Sequence, residues 1–120
     1  MTEEHQERGV HNPRVVDLVT DDPATGEVVL VMLEERPWGS DPEQLRQLEE
    51  KFNSYLAYVV GGHLVEQYPQ YEGKTVRFQL ECRANPEPKD RSFFTAMANF
   101  AAEESIRMVV GVIQAGDRSA

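Results

Sequence analysis

The segment EVVLVMLE, residues Glu27–Glu34, restricts the fold more than any other part of the sequence. Its β-branched content predicts a strand, and both faces of that strand are apolar. One face carries Val28, Leu30 and Met32, and the other carries Val29, Val31 and Leu33. Because a strand with one face in water alternates apolar and polar residues, this strand needs cover on both sides. The second cover is either another part of this chain or a second copy of it.

Strand and helix patterns alternate along the rest of the chain. Strands are predicted at 14–20, 27–34, 74–83 and 106–113, with turn residues making the first two an antiparallel hairpin. The first helix is expected to begin at a cap formed by Asp41 or Ser40 and to end at Gly61 and Gly62. A second helix is predicted at 91–104. A continuation of this helix is the rival interpretation of the last strand.

The order ββαβαβ predicts an α+β fold. We expect a two-layer sandwich in which a small, mostly antiparallel sheet carries both helices on one face. Strand order 2-1-3-4 follows if a right-handed crossover returns the third strand beside the first. The domain is expected to span residues 14–113, between a flexible N-terminal tail at 1–13 and a loose C-terminal tail at 114–120.

The charge of the chain restricts its partners. Twelve Lys and Arg against 21 Asp and Glu give a net charge of -9 over 120 residues. This charge opposes phosphate backbones and anionic membranes, so neither nucleic acid nor a membrane is an expected partner, whereas a basic protein is. The polar N-terminus, the single Cys and the lack of a long apolar run predict a cytoplasmic location.

Three stretches of the sequence resemble a known family. They are VVDLVTDDPATGEVVLVMLEERPW, LRQLEEKFNSYLAYVVGGHLVEQYP and KTVRFQLE. Together they are similar to DUF6572, a family of small bacterial domains of unknown function, from about Val15 to Val112. The resemblance implies a compact α+β domain. It implies no reaction, cofactor or substrate, so no catalytic residue is transferred from it.

The residue patterns favour no catalytic, cofactor-binding or metal site, and an enzyme is the less favoured interpretation. Cys82 lies on the apolar face of a predicted strand, where a core role is expected. The three histidines lack metal-ligand spacing and are His5, His11 and His63. Acidic residues, among them Glu34, are expected on solvated faces. Asp17 interrupts a strand pattern, so we expect it to cap a backbone group, to pair with an Arg or to blunt an edge.

Aromatic residues are candidate contact residues. Trp38 lies between a Pro and a Gly, and Tyr58 lies off the apolar stripe of the first helix. Trp and Tyr are enriched at protein interfaces. Packing over the open end of the sheet is nevertheless the favoured interpretation of Trp38.

The favoured function is a non-enzymatic protein-interaction domain that self-associates as a homodimer through the second apolar face of Glu27–Glu34. The interaction residues that this predicts are Val29, Val31, Leu33, Trp38 and Tyr58. The first alternative is an acidic inhibitor or immunity-type protein that binds a basic partner. The second is a small ligand-binding domain or enzyme with a pocket near Trp38, Tyr68 and Asp17.

Overall fold

The computed structural model describes residues 8–13 and 15–113. The strands are β1 (Leu18–Asp22), β2 (Glu27–Glu34), β3 (Val76–Cys82) and β4 (Ile106–Val112). The helices are α1 (Gln44–Val60), α2 (His63–Gln67) and α3 (Arg91–Glu103). The chain therefore has the predicted α+β class, and the helical interpretation of the last strand is wrong. The short helix α2 lies in the connector between α1 and β3, so the observed order is ββααβαβ.

The sheet is mixed, with the strand order β1-β2-β3-β4. β1 is antiparallel to β2, whereas β3 is parallel to both β2 and β4. The predicted mostly antiparallel sheet and the predicted order 2-1-3-4 are both wrong. The physical reason lies in the connections, because a helical crossover returns the chain in the direction of the strand it left. This rule makes β3 run in the direction of β2 on either side of the hairpin. Because β3 lies beside β2 and not beside β1, the new strand pair is parallel and the hairpin strand β1 is left at the edge.

The core lies between the sheet and the helices. Phe78 of β3 meets Phe52 and Tyr55 of α1 edge to face, with ring centroids 5.8 and 5.6 Å apart. Trp38 packs edge-on against Phe94 of α3 at 5.5 Å, and its indole N–H donates to the Ala84 carbonyl at 2.9 Å. Such pairs add to the gain from burying aromatic area. Trp38 therefore closes one end of the core, as predicted.

The described part of the predicted N-terminal tail packs on the domain. Val10 is buried in the core, and its N–H donates to the Leu33 carbonyl at 2.8 Å. Burial of the Val10 side chain and this hydrogen bond place this part of the chain against the domain. The rest of that predicted tail, residues 1–7, and the predicted tail at 114–120 lie outside the described residues.

The second face of β2 is covered by its neighbours in the sheet. The strand register places Leu18, Val31, Gln79 and Val109 in one row across this face. Val31 is 7% exposed, although the helices pack on the opposite face. Because β2 is an inner strand, side chains of β1 and β3 flank its valines on both sides. Cover from within the chain therefore accounts for much of the doubly apolar pattern.

We expect Val31→Glu to lower the free energy of unfolding by about 3 kcal/mol, because it places a carboxylate in a buried apolar position. Leu18→Glu is the matched control, since Leu18 lies in the same row but is 47% exposed. Urea denaturation of both variants measures the difference. Equal stability losses in the two variants would show that Val31 is not covered within the chain.

Candidate functional site

Asp17 and Lys51 form a buried ion pair between the start of β1 and helix α1. The Lys51 ammonium donates to Asp17 Oδ1 at 2.8 Å and to the carbonyls of Gly9 and Asn12, each also at 2.8 Å. Both charged side chains are 0% exposed. Three acceptors match the three N–H donors of an ammonium group, which is what burial of that group requires.

The Asp17 carboxylate also fixes two backbone segments. Its Oδ1 accepts the Gly9 N–H and its Oδ2 accepts the Leu33 N–H, both at 2.9 Å. The Asp17 N–H donates to the Tyr55 hydroxyl at 2.8 Å, and that hydroxyl donates to the Val31 carbonyl at 2.6 Å. Asp17 therefore caps backbone groups, which was one of the three roles predicted for it. The expected Arg partner is wrong, because the partner is Lys51.

Lys51 is the residue that the sequence interpretation missed. It lies three residues after Leu48 and four before Tyr55, so it falls inside the apolar stripe of α1. Burial lowers the pKa of the Lys51 ammonium, and the hydrogen bond with Asp17 partly offsets that effect. A lysine inside an apolar helix stripe, together with an acid inside a strand pattern, was the available signal for a buried pair.

Cys82 and His63 are the other candidate reactive side chains that the sequence analysis considered. Cys82 is buried in the core, as predicted, and burial raises the pKa of its thiol to about 12. A thiol at that pKa is a poor nucleophile near neutral pH. His63 Nδ1 lies 3.4 Å from Glu66 on the surface of α2, and His5 lies outside the described residues. Within residues 8–13 and 15–113, no cluster of His, Cys, Asp or Glu is arranged to hold a metal ion.

Glu34 is buried, so its predicted place on a solvated face is wrong. Arg36 donates from Nη2 to Glu34 Oε2 at 2.7 Å and from Nε to Glu34 Oε1 at 2.9 Å. Burial raises the pKa of Glu34, but the hydrogen bonds from Arg36 and Gln44 and the positive charge of Arg36 together outweigh it and leave the pKa below its usual value. The two-point contact neutralises the carboxylate at the end of β2, where the chain turns toward Trp38.

Glu27 joins three strands on the face of the sheet opposite the helices. Arg107 of β4 donates to both of its carboxylate oxygens, at 2.9 and 3.0 Å, and Arg77 of β3 donates at 2.8 Å. Arg77 also reaches Asp22 of β1 at 3.1 Å. The hydrogen bonds from Arg107 lower the pKa of Glu27 to about 2, although burial opposes them. This cluster holds one end of the sheet together.

The predicted pocket residues are divided between two hollows. Asp17 and Tyr68 line a hollow of about 540 Å³ beside β1, and Tyr58 lines it too. Trp38 lines another, of about 270 Å³, between the start of α1 and the segment before α3. The structure therefore brings Asp17 and Tyr68 together, but it does not bring Trp38 to them.

The five predicted interaction residues do not share one surface. Val29 and Val31 are buried and Leu33 is half-buried on the open face of the sheet. Trp38 packs under α3, and Tyr58 lines the hollow beside β1. Little area of the two valines is therefore left accessible on that face.

Helix α3 presents the largest exposed aromatic side chain of the described residues. Phe100 is 61% exposed. It borders an apolar groove of about 250 Å³ between α1 and α3, which we call the α1–α3 groove. The groove is lined by Glu49, Phe52, Asn53, Phe93, Ala96, Met97 and Phe100. Exposed aromatic groups beside an apolar depression are typical of protein contact sites.

The chain is similar to a known family of domains. A family model described as "Family of unknown function (DUF6572)" matches residues 9–114. No curated protein and no solved structure matches the chain. Among the helices of residues 8–13 and 15–113, none has the length and apolar character needed to cross a membrane.

We expect Lys51→Met to lower the free energy of unfolding by about 3–5 kcal/mol, because it leaves the Asp17 charge buried without its partner. The double variant Asp17→Asn/Lys51→Met should lose less than the sum of the two single losses. Lys74→Met, at an exposed lysine, is the control and should change stability little. Urea denaturation gives all four values, and strictly additive losses would contradict an energetic coupling between Asp17 and Lys51.

We expect Glu27 to stabilise the fold in a pH-dependent way. Its folded pKa of about 2 lies below the ordinary value of 4.5, so the ionised form favours the folded state. This contribution is complete above about pH 5 and is lost as the pH falls toward 2. The stability difference between the native protein and Glu27→Gln should therefore shrink over that range, and Arg107→Gln should behave alike. A difference that stays constant from pH 6 to pH 2 would contradict this role.

Proposed function

The chain belongs to DUF6572, a family of unknown function, and we propose that it is a protein-interaction domain that self-associates as a dimer. The observation that carries the proposal is the exposed Phe100 beside the α1–α3 groove. A Phe side chain exposed to this extent lacks most of the favourable free energy that burial in an apolar environment provides. Contact with the apolar surface of a partner supplies that free energy.

The surroundings of Phe100 suit a contact surface. The chain has 28% charged residues, yet α3 carries none between Arg91 and Glu103. Ala96 and Phe100 lie one turn apart on α3 and both are exposed. The centres of protein interfaces are depleted in charge and enriched in aromatic residues. The outer face of α3 has both properties.

A second copy of the chain is the partner that this geometry favours. The projecting side chain and the groove lie side by side on one surface, so a two-fold axis places Phe100 of each copy in the groove of the other. Such an arrangement is self-complementary and closed, as in isologous dimers. The net charge of -9 disfavours contact between two copies across most of the surface, and the uncharged face of α3 is where this repulsion is weakest.

The open face of the sheet is the competing dimer surface. Leu18, Leu33 and Val109 supply its accessible apolar area, since Val29 and Val31 are buried. The Glu27 cluster places charged groups at one end of this face. The α3 surface combines greater exposure of an aromatic side chain with a hollow to receive it, so we favour α3.

The proposal predicts that Phe100→Ser weakens the dimer. Because a central aromatic contact contributes about 2 kcal/mol or more, the dissociation constant should rise at least about 30-fold. Ala96→Glu should have a similar effect, since it brings a charge into the groove. Analytical ultracentrifugation over a concentration series measures the constants.

Two variants serve as controls for the dimer measurement. Val60→Ser removes another exposed apolar side chain, 58% exposed, that lies about 10 Å along α1 from Asn53 at the groove. It should leave the dissociation constant unchanged. Leu18→Ser tests the open face of the sheet. A native chain that stays monomeric at all concentrations, or a dimer weakened by Leu18→Ser and not by Phe100→Ser, would refute the proposal.

A further inference from the structure

The hollow of about 540 Å³ lies against the free edge of β1. Four consecutive residues, Val16 to Val19, line it. Val16 and Asp17 precede β1, whereas Leu18 and Val19 are its first two residues. Because successive side chains of a strand point to opposite faces, a hollow lined by both Leu18 and Val19 lies along the edge at the start of β1. Within the described residues β1 pairs with β2 alone. Alternate N–H and C=O groups of such an edge point outward, where a further strand can bind.

Residues of the helical layer form the floor of this hollow. Tyr58 of α1, Gln67 of α2 and the following Tyr68 line it together. The Tyr58 hydroxyl donates to the Gln67 side-chain oxygen, which fixes both side chains. Tyr58 and Tyr68 are half-buried and pack on the core, so their rings stay partly accessible. The helical layer therefore extends past β1 and provides a partly aromatic floor for one more strand.

The charges along this edge are different at its two ends. Arg8 lines the hollow at the start of β1, next to Gly9, whose N–H is bound by Asp17. The Asp17 carboxylate is occupied by Lys51 and by two backbone N–H groups, so it repels an anion only weakly. At the other end of β1, Asp21 is exposed. A strand that binds here meets a cation at one end and an anion at the other.

We propose that this edge binds an extended peptide as a fifth strand, antiparallel to β1. In that direction the C-terminal carboxylate of the peptide lies at Arg8, and a basic side chain near its N-terminus lies opposite Asp21. Backbone hydrogen bonds to β1 supply the affinity, and the side chains that face the helical layer contact Tyr58 and Tyr68. This ligand is compatible with the acidic chain, because its basic end meets the acidic end of β1.

A defined peptide tests the proposal. An N-acetylated pentapeptide Lys-Thr-Val-Thr-Val with a free carboxylate is titrated to about 1 mM into the isotope-labelled full chain. Nuclear magnetic resonance should show shifts of the Leu18, Val19 and Thr20 amides and slower hydrogen exchange at the outward ones. The same peptide methylated on alternate backbone nitrogens cannot donate those hydrogen bonds and should not bind.

Variants of the chain test the role of the carboxylate. Arg8→Gln should weaken binding of the free-acid peptide by a factor of about three and remove its advantage over the C-terminal amide. Arg46→Gln, at an exposed arginine on α1, is the matched control and should leave the affinity unchanged. Unshifted β1 amides at the highest peptide concentration would overturn the proposal. Equal binding of the methylated peptide would also overturn it, because strand pairing would then play no part.

Discussion

The ion pair between Lys51 and Asp17 determines how the edge of the sheet is built. The regular pairing of β1 with β2 begins at Leu18. Just before it, the Asp17 carboxylate accepts the Leu33 N–H of β2, which a backbone carbonyl would accept in a continuing strand. Lys51 binds the same carboxylate and the carbonyls of Gly9 and Asn12, so α1, the N-terminal segment and β1 share one group of hydrogen bonds. A buried pair of this kind requires every donor and acceptor to be satisfied, which fixes the relative positions of these three elements.

The position of β2 determines how the two layers are arranged. Helical crossovers place β3 parallel to β2 and β4 parallel to β3, which leaves β2 and β3 as inner strands. An inner strand has neighbours on both sides, so valines on its open face are covered by adjacent side chains without a second layer of helices. The exposed large apolar side chains of the described residues lie elsewhere, at Leu18 on β1, Val60 on α1, Phe100 on α3 and Val110 on β4.

The sequence predicted the structural features that depend on interactions between residues close together in the chain. The β2 strand, the positions of both long helices, the buried Cys82 and the packing of Trp38 followed from periodicity, turn residues and burial preference. The strand order did not follow, because the choice between the two sides of the hairpin depends on contacts between distant segments. Lys51 was missed for the same reason, since its partners Gly9, Asn12 and Asp17 lie 34 to 42 residues away along the chain. Burial of Glu34 depends on the turn that brings Arg36 back to it, and a count of charges does not show this.

The two proposed surfaces are compatible with one another because of the order of the strands. β1 and β4 form opposite edges of the sheet, about 14 Å apart for four strands. α3 packs beside β4, whereas the hollow for a fifth strand lies at β1. A dimer formed through α3 would thus leave the β1 edge of each copy open. Two equivalent peptide sites in one dimer would strengthen binding of a partner that carries two suitable strands, because the second contact becomes intramolecular.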